Sequence, residues 1–182
     1  SVWPSVAREL RRAVSLAPLL FASLSAPFFP TVLASDACGS EVGGGQGVVA
    51  AEASLRDLEA CVSAPLPLEE GKVTSRSLPT GLEGVSGWRT IVSSPFRHHE
   101  HSNSLELRAL ITAVRWALSS PRAHQSRVVA FVDSLVVLFA VRKGRSSAYV
   151  LLKRLRRLSA LLLSSGVSLH VGWIPTEVNP AD

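Results

Sequence analysis

The sequence predicts an α/β fold in which helices cover a mixed sheet of five strands. Near the N-terminus, two strand-like segments flank a glycine-rich run, a pattern that predicts a hairpin of antiparallel strands. After residue 102, helix-like and strand-like segments alternate, which is typical of parallel strands joined by helices. With 47% hydrophobic residues in 182, the chain can bury a core of this kind.

The first half of the chain contains three of the five predicted strands. Residues 1–29 are predicted to be a helical lead-in that ends between Pro27 and Pro30. The strands that follow are PTVLASD, GGGQGVVAAEA and WRTIVSSP. Residues 55–87 lie between the second and third of these strands. In this segment LRDLEACV has the pattern of a short helix, and the remainder is rich in Pro, Gly and Ser and is predicted as loop. We assign no function to this segment.

The second half alternates helices and strands. A helix in NSLELRALITAVRWALSS is closed by Pro121, and the strand RVVAFVD follows. A short helix ends at Gly144, a longer one ends at Gly166, and VSLHVGWIP is the last strand. Alanines recur on one face of the first of these helices, which lets it lie close to the sheet. They are Ala109, Ala113 and Ala117.

Charge and cysteine content restrict the class of protein. The formal net charge of +5 and the pI of about 10.0 favour a polyanionic partner such as nucleic acid. Cys38 and Cys61 have no metal-ligand spacing, which predicts a reduced, intracellular protein. The apolar stretch at 13–29 contains two prolines and is too short to span a bilayer, so no membrane partner is expected.

Two predicted strands end on a carboxylate. Asp36 closes PTVLASD and Asp133 closes RVVAFVD. If these strands are parallel neighbours, both side chains lie at the edge where open α/β sheets bind their ligands. The alternatives are that Asp36 is a turn residue and that Asp133 caps the next helix, a role that Ser134 could fill equally well.

Two further acids lie at the boundaries of other elements. Glu106 is in the first turn of the helix that begins near Asn103, and Asp182 ends the stretch NPAD. Both have a capping alternative, because Asn103 with Glu106 resembles a capping box and Asn179 could cap a helix that starts at Pro180. Four acids at four element boundaries are less readily explained as four separate caps.

Such a cluster has a use in phosphodiester chemistry. Hard oxygen ligands suit Mg²⁺ or Mn²⁺. In two-metal hydrolysis, one ion activates the attacking water and the other stabilises the leaving oxygen.

The order of the acidic motifs resembles the ribonuclease H domain of retroelement reverse transcriptases. The motifs SDACG, NSLELRAL, FVDS and WIPTEVNPAD follow one another within residues 30–182. The similarity is greatest to LTR-retrotransposon and DIRS-like elements. It implies a ribonuclease H-like fold, a five-stranded mixed sheet with helices on its faces, and Mg²⁺-dependent cleavage of the RNA strand of RNA–DNA hybrids.

The resemblance assigns roles by position. Asp36, Glu106 and Asp133 would be the core ligands of two Mg²⁺ ions, with Mn²⁺ as a substitute, and Asp182 would be the fourth ligand. Asn179 would order the loop before Asp182 and lie against the nucleic acid. Many ribonucleases H carry a histidine in this loop, whereas PTEVNPAD has none, as is also the case in related LTR elements.

The resemblance also implies a longer protein. Residues 1–29 resemble the connection to an upstream reverse transcriptase domain, which would be a partner within the same polyprotein. Methionine is absent even at position 1, so we expect a fragment of a longer product. A final helix after Asp182 is expected to be missing, which would reduce the activity of the fragment itself.

Basic residues are concentrated in RKGRSSAYVLLKRLRRL. On the longer helix, leucines define an apolar stripe and the basic side chains face away from it. A solvated charged face is the alternative, but beside an acidic site a surface that follows phosphates is favoured. The predicted contacts to nucleic acid are Arg142, Lys143, Arg145, Lys153, Arg154, Arg156 and Arg157.

The sequence therefore predicts a hydrolase, a ribonuclease H that cleaves RNA–DNA hybrids. The alternative is a catalytically decayed module of the same fold that binds nucleic acid or serves polyprotein architecture. A transposase or exonuclease on this fold is disfavoured, because Glu106 lies between Asp36 and Asp133 rather than near the end of the chain.

Overall fold

A computed structural model of the chain describes residues 3–19, 23, 25–38, 44–65, 68–69, 72–73, 77–97 and 100–182. The strands are β1 (Phe28–Cys38), β2 (Gly45–Glu52), β3 (Leu68–Glu69), β4 (Lys72–Val73), β5 (Arg89–Pro95), β6 (Arg127–Val132) and β7 (Ser168–Trp173). The helices are α1 (Pro4–Leu16), α2 (Leu55–Ser63), α3 (Ser102–Leu118), α4 (Leu135–Lys143) and α5 (Tyr149–Ser165). Short 3₁₀ turns occur at Ala17–Leu19, Pro121–Ala123 and Thr176–Val178.

The main sheet has five strands in the order β5-β2-β1-β6-β7. β2 is antiparallel to β1 and to β5, whereas β6 is parallel to β1 and to β7. The predicted fold class, a five-stranded mixed sheet flanked by helices, is confirmed. The predicted antiparallel pairing of the first two strands is also confirmed, although the turn between them lies outside the described residues.

Helices pack on both faces of this sheet. On one face, α3, α4 and α5 cover side chains such as Leu33 and Val48. On the other face, α2 contributes Leu58 and Cys61 to a second core against Val32. Because successive residues of a strand point to opposite faces, the apolar residues of β1 serve both cores.

One face of α3 carries small side chains, which lets the helix lie close to the sheet. Ala109, Ala113 and Ala117 are all buried, as their spacing predicts. The helix begins at Ser102, and the Nδ1 atom of its N-cap residue His101 accepts a hydrogen bond from the backbone N–H of Asn103 at 3.3 Å. This packing fixes the first turn of α3 near the ends of β1 and β6.

Three local details differ from or refine the expectations. α2 confirms the helix predicted in LRDLEACV, and β3 pairs with β4 in a small hairpin within the stretch predicted as loop. β1 begins at Phe28, so its first two residues lie within the predicted helical lead-in at 1–29. The domain boundary between residues 29 and 30 stays a prediction. α1 buries none of its residues against the rest of the chain.

Within the described part of the chain, no helix has the length and apolar character needed to cross a bilayer.

Candidate active site

The register of the parallel strands places two acids side by side. Ser35 of β1 pairs with Val132 of β6, so the next residues, Asp36 and Asp133, are neighbours at the same edge of the sheet. Glu106 reaches this edge from the second turn of α3. One carboxylate oxygen from each of these three acids lies within 4.8 Å of the others, and we call this group the carboxylate triad.

Capping does not explain the triad. The N-cap of α4 is Ser134, whose Oγ accepts a hydrogen bond from the backbone N–H of Val137 at 3.4 Å, so Asp133 is not the cap. The N-cap of α3 is His101, so the expected capping box of Asn103 with Glu106 is not formed. The side chains of both acids point to the site instead of to helix ends.

Burial and mutual repulsion disfavour the ionised forms of Glu106 and Asp36. Burial, with the charges of Asp133 and Asp36, raises the pKa of Glu106 to about 9. Burial, followed by the charges of Asp133 and Asp182, raises the pKa of Asp36 to about 6. Hydrogen bonds with the backbone of Ala37 oppose both shifts without cancelling them. An isolated group of this kind needs protons or a cation.

Two oxygens of the triad are buried without a hydrogen-bond partner among the described residues. They are Oε2 of Glu106 and Oδ1 of Asp133. The other carboxylate oxygen of Asp133, Oδ2, accepts a hydrogen bond from the Oγ1 atom of Thr176 at 3.0 Å. The indole Nε1 of Trp173 donates to the backbone oxygen of Asp133 at 2.9 Å, which holds the end of β6.

Asp182 lies near the triad but outside the group that meets within 4.8 Å. It is exposed, and its charge raises the pKa of Asp36. Asn179 is buried and binds this last turn on two sides. Its Nδ2 donates to the backbone oxygen of Ser35 at 3.4 Å, and its Oδ1 accepts from the N–H of Ala181 at 3.1 Å. Asn179 thus orders the loop, as predicted, and residues 180–181 form a turn, not the alternative helix.

The last turn also requires a glycine in β2. Gly47 pairs with Asp36, and a Cβ at position 47 would lie 2.4 Å from the backbone oxygen of Ala181. A side chain would therefore push the turn that carries Asp182 away from the sheet.

An open groove of about 470 Å³ runs from these acids across β2 and β5. Asp36 and Asp182 lie on its walls, together with polar side chains that include Gln46, Ser93 and Ser94. The groove is wide and solvent-accessible, which suits an extended polymer better than an enclosed small molecule.

The predicted basic contacts fall into two groups. Arg154 is half-buried and bonded to Glu100, and Arg142 donates from Nε and Nη2 to the backbone oxygen of Val171 at 3.2 and 3.1 Å. The remaining five are exposed on α4, α5 and the loop between them. They are Lys143, Arg145, Lys153, Arg156 and Arg157.

Sequence reasoning missed three residues that support the site. Thr176 and Trp173 hold Asp133, and Ser35 lies fully buried beside Asp36 with an unpartnered Oγ within the described structure. Thr176 and Trp173 lie in the quoted motif WIPTEVNPAD, so their position close to the last acid was the available signal.

The chain matches no protein-family model and no curated protein. Among solved structures, it is similar to the N-terminal RNase H domain of Rv2228c from Mycobacterium tuberculosis, with 16% identity over 82% of this chain and 84% of that one and a TM-score of 0.49. It is also similar to RNase H1 of Halobacterium salinarum NRC-1, with 16% identity, coverage of 83% and 89%, and a TM-score of 0.47. A third similar structure is prototype foamy virus protease-reverse transcriptase, with 14% identity, coverage of 84% of this chain and 19% of that one, and a TM-score of 0.45. The main sheet has the five strands of mixed direction, with helices on its faces, that the sequence resemblance implied.

Proposed function

We propose that this chain is a metal-dependent ribonuclease H that hydrolyses the RNA strand of RNA–DNA hybrids, as part of a retroelement reverse transcriptase. The observation that carries the proposal is the convergence of Asp36, Glu106 and Asp133 within 4.8 Å at one sheet edge. The order of the acidic motifs in the sequence supports the same function.

The triad fits a divalent cation. Its carboxylates are hard oxygen ligands, and two of their oxygens are buried and unpartnered in the described structure. Burial, with the charges of Asp133 and Asp36, raises the pKa of Glu106, and a cation beside these carboxylates would favour its ionised form. Mg²⁺ is the expected ion and Mn²⁺ its substitute, held by the triad with Asp182 as a fourth ligand.

When bound, the ions would supply Lewis-acid stabilisation of the phosphoryl oxygens and a lowered pKa for water. The chain itself orients the reacting groups. Thr176 and Trp173 fix Asp133, and Asn179 holds the turn that carries Asp182 against β1. The proposed reaction is in-line attack of water on the phosphodiester of the RNA strand.

The substrate would lie in the groove beside the triad and be held by its phosphates. The exposed basic side chains of α4 and α5 would contact the phosphates of the nucleic acid. This binding would weaken as the salt concentration rises and would not depend on the nucleotide sequence. Discrimination of RNA from DNA at the cut strand would come from duplex shape and from 2′-hydroxyl contacts.

The test is single-turnover cleavage of a labelled RNA–DNA hybrid with Mg²⁺, beside duplex DNA, duplex RNA and single strands. We expect cutting of the RNA strand in the hybrid alone. Asp133→Asn should slow it at least about 100-fold, since even changes outside the first ligand shell cost 10–100-fold at metal sites. The matched control is Glu83→Gln, which removes an exposed acid of the 77–97 segment, away from the triad.

Each outcome is informative. Hybrid binding without Mg²⁺-dependent cutting, both by this chain and by a version extended past Asp182, would replace the proposal by the decayed module. Cutting that is unchanged in Asp133→Asn would refute the assignment of the triad, and preference for duplex DNA would refute the substrate class.

A further inference from the structure

A polar network joins α5 to the first turn of α3. Arg154 of α5 forms an ion pair with Oε2 of Glu100, and its Nε donates to the Oγ of Ser104 at 2.8 Å. The same Ser104 hydroxyl donates to Oε2 of Glu100 at 2.8 Å. Three side chains therefore bond one another, in a closed triangle that spans 50 residues of sequence between Ser104 and Arg154.

The three side chains are largely shielded from solvent, and their hydrogen bonds require the planar guanidinium of Arg154. Ser104 is 3% exposed, and the side chains of Arg154 and Glu100 are 19% and 26% exposed. Burial acts to raise the pKa of Glu100, but the hydrogen bonds from Arg154 and Ser104 outweigh it, so the pKa is lowered. Arg154 uses two different guanidinium nitrogens for two partners, which a lysine ammonium cannot reproduce in the same plane.

The first turn of α3 is held on its other side by apolar contacts. Leu105 is buried in a small cluster with Ala37 of β1 and Ala109, and Phe96 packs against this cluster. Glu106 follows Leu105 directly and also interacts with the backbone of Ala37. The sheet thus holds Leu105 and α5 holds Ser104, the two residues of the first turn of α3 that directly precede Glu106.

We propose that Arg154 is a positioning residue for the carboxylate triad, acting through Ser104 and Glu100 on the first turn of α3. Contacts to two different elements leave the first turn of α3 little freedom to translate or rotate. Burial and the charges of Asp133 and Asp36 oppose ionisation of Glu106, so a backbone held in place lowers the cost of assembling the three carboxylates to receive a cation. The inference rests on the proposed function only in that the triad binds a divalent cation.

This role differs from the phosphate contact that the sequence pattern favours for Arg154. The guanidinium of Arg154 already bonds a carboxylate through Nη2 and a hydroxyl through Nε, and the carboxylate neutralises its charge, so it attracts a phosphate less strongly than an arginine without an acidic partner does. The exposed Arg157 on the same helix makes no ion pair or side-chain hydrogen bond with the residues that the structure describes, so it is the better comparator for a phosphate contact.

The experiment measures Mn²⁺ affinity of the chain without nucleic acid, by electron paramagnetic resonance at pH 7.5. Arg154→Gln and Arg154→Lys should each weaken Mn²⁺ binding about tenfold, the lower end of the range for supporting residues at metal sites. Arg154→Lys keeps the positive charge, so weaker Mn²⁺ binding by this variant would show that the geometry of the guanidinium matters. Arg122→Gln, which changes an exposed arginine of the 3₁₀ turn after α3, should leave the affinity unchanged.

Two further readouts separate positioning from other roles. Amide hydrogen exchange should speed up in the first turn of α3 in Arg154→Gln, while thermal midpoints show that the fold persists. The slope of hybrid affinity against salt should stay unchanged in Arg154→Gln, whereas Arg157→Gln should reduce it by about one.

The outcomes distinguish the inference from the proposed function. If the unaltered chain binds no Mn²⁺, the proposed function fails and this inference fails with it. If it binds Mn²⁺ and both Arg154 variants stay within twofold of it, only the positioning role is refuted. A reduced salt slope with unchanged Mn²⁺ affinity would make Arg154 a phosphate contact and overturn the inference.

Discussion

Cation binding by the triad should be coupled to proton release. In the cation-free chain the pKa of Glu106 is about 9, so at pH 7 this carboxyl is protonated and must lose its proton before it can bind a cation. The gap of two pH units corresponds to about 2.7 kcal/mol, at about 1.36 kcal/mol per unit. Binding at pH 7 should therefore be about 100-fold weaker than at a pH where Glu106 is already ionised.

The assay is isothermal titration of Mg²⁺ in pairs of buffers with different ionisation enthalpies. Between pH 7 and 8.5 the dissociation constant should fall about tenfold per pH unit, with about one proton released per binding event. Below pH 6 the dissociation constant should change more steeply with pH, because the pKa of Asp36 is about 6 and a second proton must then leave. Above pH 9 the dissociation constant should become independent of pH.

Glu106→Gln provides the control, since it removes the titrating group while keeping the shape of the side chain. Its affinity should be weaker and nearly independent of pH from 7 to 9. A dissociation constant for the unaltered chain that is the same at pH 7 and pH 9, with no proton release, would refute the electrostatic description of the triad.

Three other perturbations test separate parts of the structure. Gly47→Ala should lower hybrid cleavage and cost about 1–3 kcal/mol in chemical denaturation, because its Cβ would lie 2.4 Å from the Ala181 oxygen; Gly84→Ala, with no contact under 3.5 Å, should change neither. The raised pKa of Glu106 should make the cation-free chain lose stability as pH rises from about 4.5 towards 9, and a denaturation series should find this loss reduced in Glu106→Gln. Leu110→Ala should cost about 2–5 kcal/mol by creating a cavity under α3, and a smaller effect would contradict the full burial of Leu110.

The sheet and the triad could be predicted because their signals are local. Short apolar runs gave the strands, and a carboxylate at the end of two of them placed Asp36 and Asp133 at one edge. The alanine spacing of α3 predicted which face meets the sheet, and this face sets the direction of Glu106. Strand order then brought the three together.

The parts that could not be predicted depend on contacts between distant side chains. The pairing of Arg154 with Glu100 spans 54 residues, and a charge pattern on one helix cannot reveal it. The cap of α3 is His101, not Asn103, because the helix begins earlier than its polar run suggests. The distance of Asp182 from the triad depends on a turn held by Asn179, whose partner in β1, Ser35, lies 144 residues away in sequence.

The most direct test of the proposed metal site is a crystal structure of the chain soaked in Mn²⁺, read by anomalous scattering. We predict at least one strong anomalous peak within about 2.0–2.6 Å of oxygens from Asp36, Glu106 and Asp133. No peak among these carboxylates at Mn²⁺ concentrations that saturate binding in solution, or a peak held by other residues, would contradict it.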